Sequence, residues 1–559
     1  MVVVETTLTQ LQELIGKNIT LTQLDETLFD IGFEVDEVEG DELKIDITPD
    51  RLDAISPVGL ARIVKSYMGL AVEQPNFETY KSEYELIIDK SVKSVRPFTA
   101  CAVIKGLNIT ESQLKEIIWV QEKLHATFGK NRKKAAIGIY PLEKITWPIT
   151  FKGEKPEDIS FQPLDSQTIM TGAQILSEHE TGKVYAHLLE GHDVFPLFVD
   201  ADNKVLSLPP LINSHDLGKV TVGEKEIFIE CSGFDSHALQ ILLQNLVCLF
   251  SDMGGQIHDV IVNDGGTKTV MPNMKPETRP LLVEDVVKRT GVQLSAAEIV
   301  SNLEKMGHTA KILFEDTVEV SVPPYRSDIW HDVDVIDDVV RGYGINNLVP
   351  QVPDLATQGS VLPINQFESE LTDVLVGLGF QEIKTLGVTD KADQFTKMNV
   401  SLDDAEFMTL GSTADKSINM LRTSLLPESL KLLMNNRSAP LPHKIFEFGH
   451  VIMPDDSVDV RSQNCANVCV SIAKDPSTFT DIKQVLESLA TTLGVEFEFT
   501  EYATPYYVAG RSARFSTNGV IIGQIGEVHP AVLGNWDLTT PVSSFELDVK
   551  KLLNAVRGN

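Results

Sequence analysis

The chain has 559 residues, 42% of them hydrophobic, and its 48 basic and 80 acidic side chains leave a net charge of −32. That length predicts three or four domains with ample cores, while the charge argues against a subunit that holds nucleic acid mainly by itself, since phosphate neutralisation needs a basic face. The five cysteines at 101, 231, 248, 465 and 469 form no CxxC pair, which speaks against a zinc site or disulfide framework and for a reducing compartment.

No apolar run reaches the ~18 residues of a membrane span, and MVVVETTLTQ does not read as a signal peptide, so a cytoplasmic protein with no membrane partner is expected. Residues 1–92 read as a small mixed α/β domain. LTQLQELIGKNI has helical apolar spacing. LFDIGFEVDEVEGDELKIDI then predicts two strands about the VEGDE turn. Ser56 and Pro57 suit the cap and first position of a second helix.

Residues 93–268 form a second unit. RPFTACAVIKGLNI predicts a strand, ESQLKEIIWVQEKLHATFG a helix ending at Gly129, and AAIGIYPLEKI another strand. GKNRKK, Gly129–Lys134, is the one compact basic block and reads as a solvated turn. Asn213 and Ser214 follow the Pro209-Pro210 break, where backbone polar groups can face a ligand. Glu230 and Asp235 flank the junction between a strand and a long helix in EKEIFIECSGFDSHALQILLQNLVCLF. His215 and His237 have no recognisable nucleophile partner and read as surface residues.

Residues 269–350 predict two helices, the second from Ser295 to Gly307, then a strand pair and a last helix. This order suggests a winged-helix-like module, but VVKRTGVQLSAAEIVSNLEKM is too weakly basic to support DNA recognition. The module closes on PPYRSDIWHDVDVIDDVVRGYGINNLVP, residues 323–350, where Asp328, Asp334, Asp337 and Asp338 crowd a helix start. The last three are spaced i, i+3 and i+4, on one face. Two readings fit: acids favoured by the positive end of the helix dipole, or carboxylates converging on a hard cation such as Mg²⁺.

Residues 355–559 read as a large α/β unit, with strands at HKIFEFGHVI and SSFELD and helices between. Taken together, TPDRLDAISPVGLAR, PPYRSDIWHDVDVIDD, HKIFEFGHVI and SSFELDVKKLL resemble the beta subunit of phenylalanyl-tRNA synthetase of the archaeal and eukaryotic type, over nearly the whole chain. The resemblance implies an α+β multidomain fold: a small N-terminal mixed domain, an editing-type α/β domain, the winged-helix-like module, and a class II synthetase-like core built on an antiparallel sheet. It implies that Asn213, Ser214, Glu230 and Asp235 line a pocket that hydrolyses tyrosine mischarged on tRNA. It also implies that Asp328, Asp334, Asp337 and Asp338 hold Mg²⁺. HKIFEFGHVI stands at the second class II motif and SSFELDVKKLL at the third. Neither carries the arginine that grips ATP there, and the nearest candidate is Arg422 in NMLRTSLLP.

That absence predicts a catalytically degenerate core. The expected function is support of ATP-dependent attachment of phenylalanine to tRNA(Phe) by an alpha subunit, in a heterotetramer of two alpha and two beta chains, with Mg²⁺ as cofactor and ATP as a substrate of the assembled enzyme. Two other functions fit the residues. One is a binding scaffold without chemistry. The other is a metal-dependent hydrolase at the aspartate cluster, although two-metal sites draw carboxylates from several elements rather than one helix.

Overall fold

The computed structural model describes residues 2–70 and 77–557 and shows a mixed α+β chain of several domains. By contacts it divides into two units, Met1–Val352 and Pro353–Asn559.

The first unit opens with a strand, Val2–Thr7, on the edge of a three-stranded antiparallel sheet with Glu42–Ile47 in the centre and Glu34–Glu39 beyond. Helix Leu8–Ile15 stops at Gly16, short of the stretch LTQLQELIGKNI read as helical. The stretch read as a strand from Leu28 is instead the end of a helix, Leu21–Ile31. Thr20 and Gln23 form its capping box, and its Leu24, Leu28 and Ile31 are buried at helical spacing. Starting the reading at Leu28 hid that cap and period. Helix Pro57–Tyr67 is capped by Ser56, whose hydroxyl accepts from the Gly59 N–H, as the Ser-Pro pair predicts.

Two sheets follow. A five-stranded sheet orders Thr79–Tyr80, Gln256–His258, Phe98–Lys105, Ile227–Gly233 and Ala135–Pro141, so the last is an edge strand. Alternation divides its faces. Ala100, Ala102, Ile104, Ile227 and Ile229 join the core with helices Glu111–Ala126 and Ser236–Asp252. Cys101, Val103, Tyr140 and Phe228 face a seven-stranded sheet that supplies Leu86, Phe151 and Phe198. Its strand Glu85–Ile88 pairs in parallel with Ile149–Glu154 and Val260–Asp264, although it falls within residues 1–92.

The remaining part of this unit is a three-stranded sheet, Glu277–Leu282, Thr317–Val322 and Thr309–Phe314, packed by helices Val283–Thr290, Ala296–Lys305 and Asp332–Tyr343. The first strand was not expected, because Pro280 lies inside it. It sits on the sheet edge, where a missing N–H is tolerated.

The second unit is a seven-stranded sheet ordered Gln381–Glu382, His443–Pro454, Ser462–Ala473, Val542–Asp548, Val520–Val528, Tyr507–Thr517 and Glu498–Glu501. All its pairs are antiparallel except the first. One face, with Val468, Val470, Phe545 and Leu547, packs on helices Pro363–Gly377, Phe479–Leu493 and Val549–Arg557. The opposite face packs in part on Leu426–Asn435 and Pro530–Asn535. No helix among the described residues is long and apolar enough to cross a membrane.

Candidate functional site

A cavity of 820 Å³ wraps around the edge strand Ala135–Pro141 in the first unit. Helix Glu111–Ala126 lines one side, and the segment from Ser207 to Val220 lines another. Glu230 reaches it from the adjacent strand Ile227–Gly233 and is 2% exposed. Its Oε1 lies 3.1 Å from the Tyr140 hydroxyl, which is 2.7 Å from Ser207 Oγ. Its Oε2 is buried and has no hydrogen-bond partner. Burial pushes the Glu230 carboxyl up to about 8, against the opposing pull of the Tyr140 hydroxyl, the Arg96 guanidinium and the Ser232 hydroxyl. Gly138 faces Glu230 in register. A Cβ there would fall 2.1 Å from the Tyr140 hydroxyl and 2.6 Å from Glu230 Oε1, so the pair needs glycine opposite it.

Asn213 also lines the cavity. Ser214, though buried, turns its hydroxyl to the Leu217 N–H and is not part of the lining. Asp235 is exposed and caps helix Ser236–Asp252, accepting from the N–H groups of His237 and Ala238. The fold thus brings Asn213 and Glu230 together and leaves Ser214 and Asp235 in structural roles. His215 is half-buried rather than on the surface, and His237 is exposed. Tyr140, Gly138, Ser207, His125 and Arg132 escaped the sequence reading. The alternation of AAIGIY could have placed Gly138 and Tyr140 on one face, but not opposite Glu230. His125 is no free base: its Nε2 accepts from the Ile137 N–H at 2.8 Å and its Nδ1 faces Glu122.

The four aspartates of the 323–350 stretch do not converge. Arg326, 6% exposed, holds two of them, with Nη2 2.6 Å from Asp328 Oδ2 and 2.7 Å from Asp338 Oδ2. Asp338 also meets His308 Nε2 at 2.6 Å. Burial alone would raise the Asp338 carboxyl, but Arg326 and His308 outweigh it and hold it well below the usual range. Asp334 caps its own helix, accepting from the N–H groups of Trp330 and His331. Asp337 points to solvent and pairs with Arg341. Among the described residues, no three His, Cys, Asp or Glu side chains gather so as to hold a metal ion. These carboxylates therefore do not fit a shared Mg²⁺ site. Arg326, two residues from Asp328 in the chain, is the cation that organises Asp328 and Asp338.

In the second unit, a cavity of 660 Å³ lies over the sheet face that bears Asn467, Gln524, Glu546 and Asp548. Glu546 accepts from Ser424 Oγ, Asn467 Nδ2 and the N–H groups of Leu425 and Leu426, which caps the helix that follows. Arg422 is consumed elsewhere. Its Nη1 is 2.8 Å from Glu447 Oε1 and its Nε donates to His450 O, both side chains being buried. Arg514, which the sequence reading passed over, does reach this cavity, with its guanidinium 3.4 Å above the Tyr502 ring.

Comparison with known proteins fits this layout. The tRNA synthetase B5 domain model matches residues 280–345, and the model of the phenylalanyl tRNA synthetase beta chain CLM domain matches residues 348–549. The class is therefore that of the aminoacyl-tRNA synthetases. A phenylalanine–tRNA ligase beta subunit from Pyrococcus furiosus is 34% identical, covering 97% of this chain and 98% of its own. One from Methanosphaera stadtmanae is 33% identical, covering 99% of this chain and all of its own. An N-terminal fragment of the phenylalanyl-tRNA synthetase beta subunit from Pyrococcus horikoshii superposes with a TM-score of 0.59 at 31% identity, covering 61% of this chain and 99% of that one. The chain belongs to the phenylalanine–tRNA ligase beta-subunit family, and is a subunit of an aminoacyl-tRNA synthetase.

Proposed function

We propose that the Glu230 cavity hydrolyses tyrosine wrongly esterified to tRNA(Phe). The observation that carries this reading is buried Glu230, with an Oε2 that has no hydrogen-bond partner, on the lining of the 820 Å³ cavity. A tyrosyl phenol would satisfy that oxygen. A phenylalanyl ring would leave it buried and unpaired, which penalises the cognate ester. Water is taken as the nucleophile and the tRNA 3′ oxygen as the leaving group; Ser207, bonded to Tyr140, and His179 lie on the same lining. Asn213 lies on the same lining as a second polar contact. Deacylation of Tyr-tRNA by variants with alanine at Asn213, Ser214, Glu230 and Asp235 tests the assignment. Losses at Glu230 and Asn213, but not at Asp235, are expected, and unchanged hydrolysis in all four would refute it.

Aminoacylation is assigned to an alpha subunit, with two alpha and two beta chains and tRNA(Phe) held jointly in the cytoplasm. Supporting this, the C-terminal cavity has a saturated glutamate where a class II site uses an arginine, and Arg422 is tied to Glu447. We read this unit as a degenerate class II-like core and residues 269–350 as winged-helix-like. Mg²⁺ needed with ATP is placed on the alpha subunit rather than on Asp328, Asp334, Asp337 and Asp338. Phenylalanine charging by this chain alone and with its alpha partner decides the point, and activity of the chain alone would refute it.

A further inference from the structure

The basic block Gly129–Lys134 is not an ordinary solvated turn. Lys130, Asn131 and Arg132 have φ of 50°, 53° and 64°, three consecutive residues in a left-handed region that side chains rarely adopt. Backbone bonds pin them there: Asn131 N–H to Ala126 O, Arg132 N–H to His125 O, and Lys134 N–H to Gly129 O. Strain of this kind persists where surrounding structure over-determines it, often at functional sites.

Its result is a sorting of cations. Arg132 turns inward onto the cavity lining, its side chain 13% exposed. It donates to Leu211 O at 2.8 Å, pairs with Glu122 at 3.0 Å and lies 4.4 Å from the centre of the Tyr185 ring. Lys130 and Lys133 are left exposed on either side of it, and Lys219 is exposed on the lining itself. The same lining also holds Glu122, which is paired with Arg132, together with Asp165, Glu178 and Glu180 from a separate segment and Glu230. In a chain of net charge −32, this compact basic turn stands next to the cavity through Arg132.

We infer that the Lys130–Lys134 turn is a phosphate-binding rim that holds the single-stranded 3′ end of acylated tRNA as its ester enters the Glu230 cavity. This rests on the hydrolytic reading of that cavity. Lysines suit the task as flexible point charges for phosphates. Arg132 tethers the turn to the Pro209–Leu211 segment, so that the rim and the cavity wall keep one spacing.

The test uses the assembled synthetase carrying Lys130→Glu and Lys133→Glu, with two substrates, Tyr-tRNA and 3′-O-tyrosyl adenosine. The second has the ester but no upstream phosphates. The variant should lose about tenfold in kcat/KM on Tyr-tRNA, mostly in KM, and its log–log salt slope should shrink by about 1.4, from two single-strand phosphate contacts. Hydrolysis of tyrosyl adenosine should not change. Equal losses on both substrates, or on neither, overturn the inference. If the wild-type enzyme hydrolyses neither ester, the hydrolytic reading fails, and crosslinking judges the rim separately. A tRNA with a photoreactive 3′-terminal nucleotide should label the peptide containing Lys130–Lys134 in the wild-type enzyme and not in the variant. Labelling elsewhere overturns it.

Discussion

Two cavities of similar size, 820 and 660 Å³, each present a strand glutamate, and the two carboxylates differ in what they have left to offer. Glu546 is saturated by a hydroxyl, a side-chain amide and two backbone N–H groups. Glu230 has a tyrosine hydroxyl on one oxygen and nothing on the other. Both are buried, yet the first works as a helix cap and the second keeps an unmet demand. A buried polar group without a partner costs free energy that a ligand can recover. On the function proposed above, unspent hydrogen-bonding capacity rather than position on a strand facing a cavity distinguishes Glu230 from Glu546.

The comparison breaks most visibly in the C-terminal unit. Arg422→Leu should destabilise it by about 3–5 kcal/mol, because Glu447 would remain as an uncompensated buried charge. Urea unfolding of the assembled enzyme, followed by a probe in residues 353–559, would check this. Glu546→Leu should cost about 2–3 kcal/mol by stranding the Leu425 and Leu426 N–H groups, while leaving Tyr-tRNA hydrolysis at the wild-type rate. A loss of hydrolysis there would mean that the two cavities are not independent.

At the other cavity the effect should be reversed in kind. Glu230→Ala should lower kcat/KM for Tyr-tRNA about 10- to 100-fold, as expected when the tyrosyl phenol is left buried without its partner, with charging of phenylalanine unchanged. Tyr140→Phe removes the hydroxyl from Glu230 Oε1 and should alter Tyr-tRNA hydrolysis by a smaller factor, about threefold to tenfold.

A further effect is expected on pH dependence. With its carboxyl raised from 4.5 to about 8, folded Glu230 keeps a proton that the unfolded chain has released across that window. Stability then falls as pH rises from about 4.5 toward 8. Glu230→Gln removes this slope, so melting measured from pH 5 to 8 should shift steadily in favour of the variant. A constant difference between the two proteins would mean that Glu230 titrates as an ordinary carboxyl.

What the sequence by itself determined about this protein is what is encoded locally. Ser56-Pro57 and Ser295 announced helix starts correctly, because caps bond within three or four residues, whereas the helix expected to reach Gly129 stops at Ala126. Family membership was legible as well, from residues spread along the whole chain.

Partnership across the chain was decided by the tertiary structure alone. The aspartate cluster looked convergent by spacing, but His308, 30 residues before Asp338, and the buried Arg326 divided it. Glu230 was a candidate by its place in the sequence, yet its character comes from Tyr140, 90 residues away, and from Gly138 beside it. Asp235, five residues further on, looked equivalent and became a cap. Spacing along a strand or helix says which way a side chain faces. What meets it there depends on sheet order and packing, and those join residues whose separation carries no local signal.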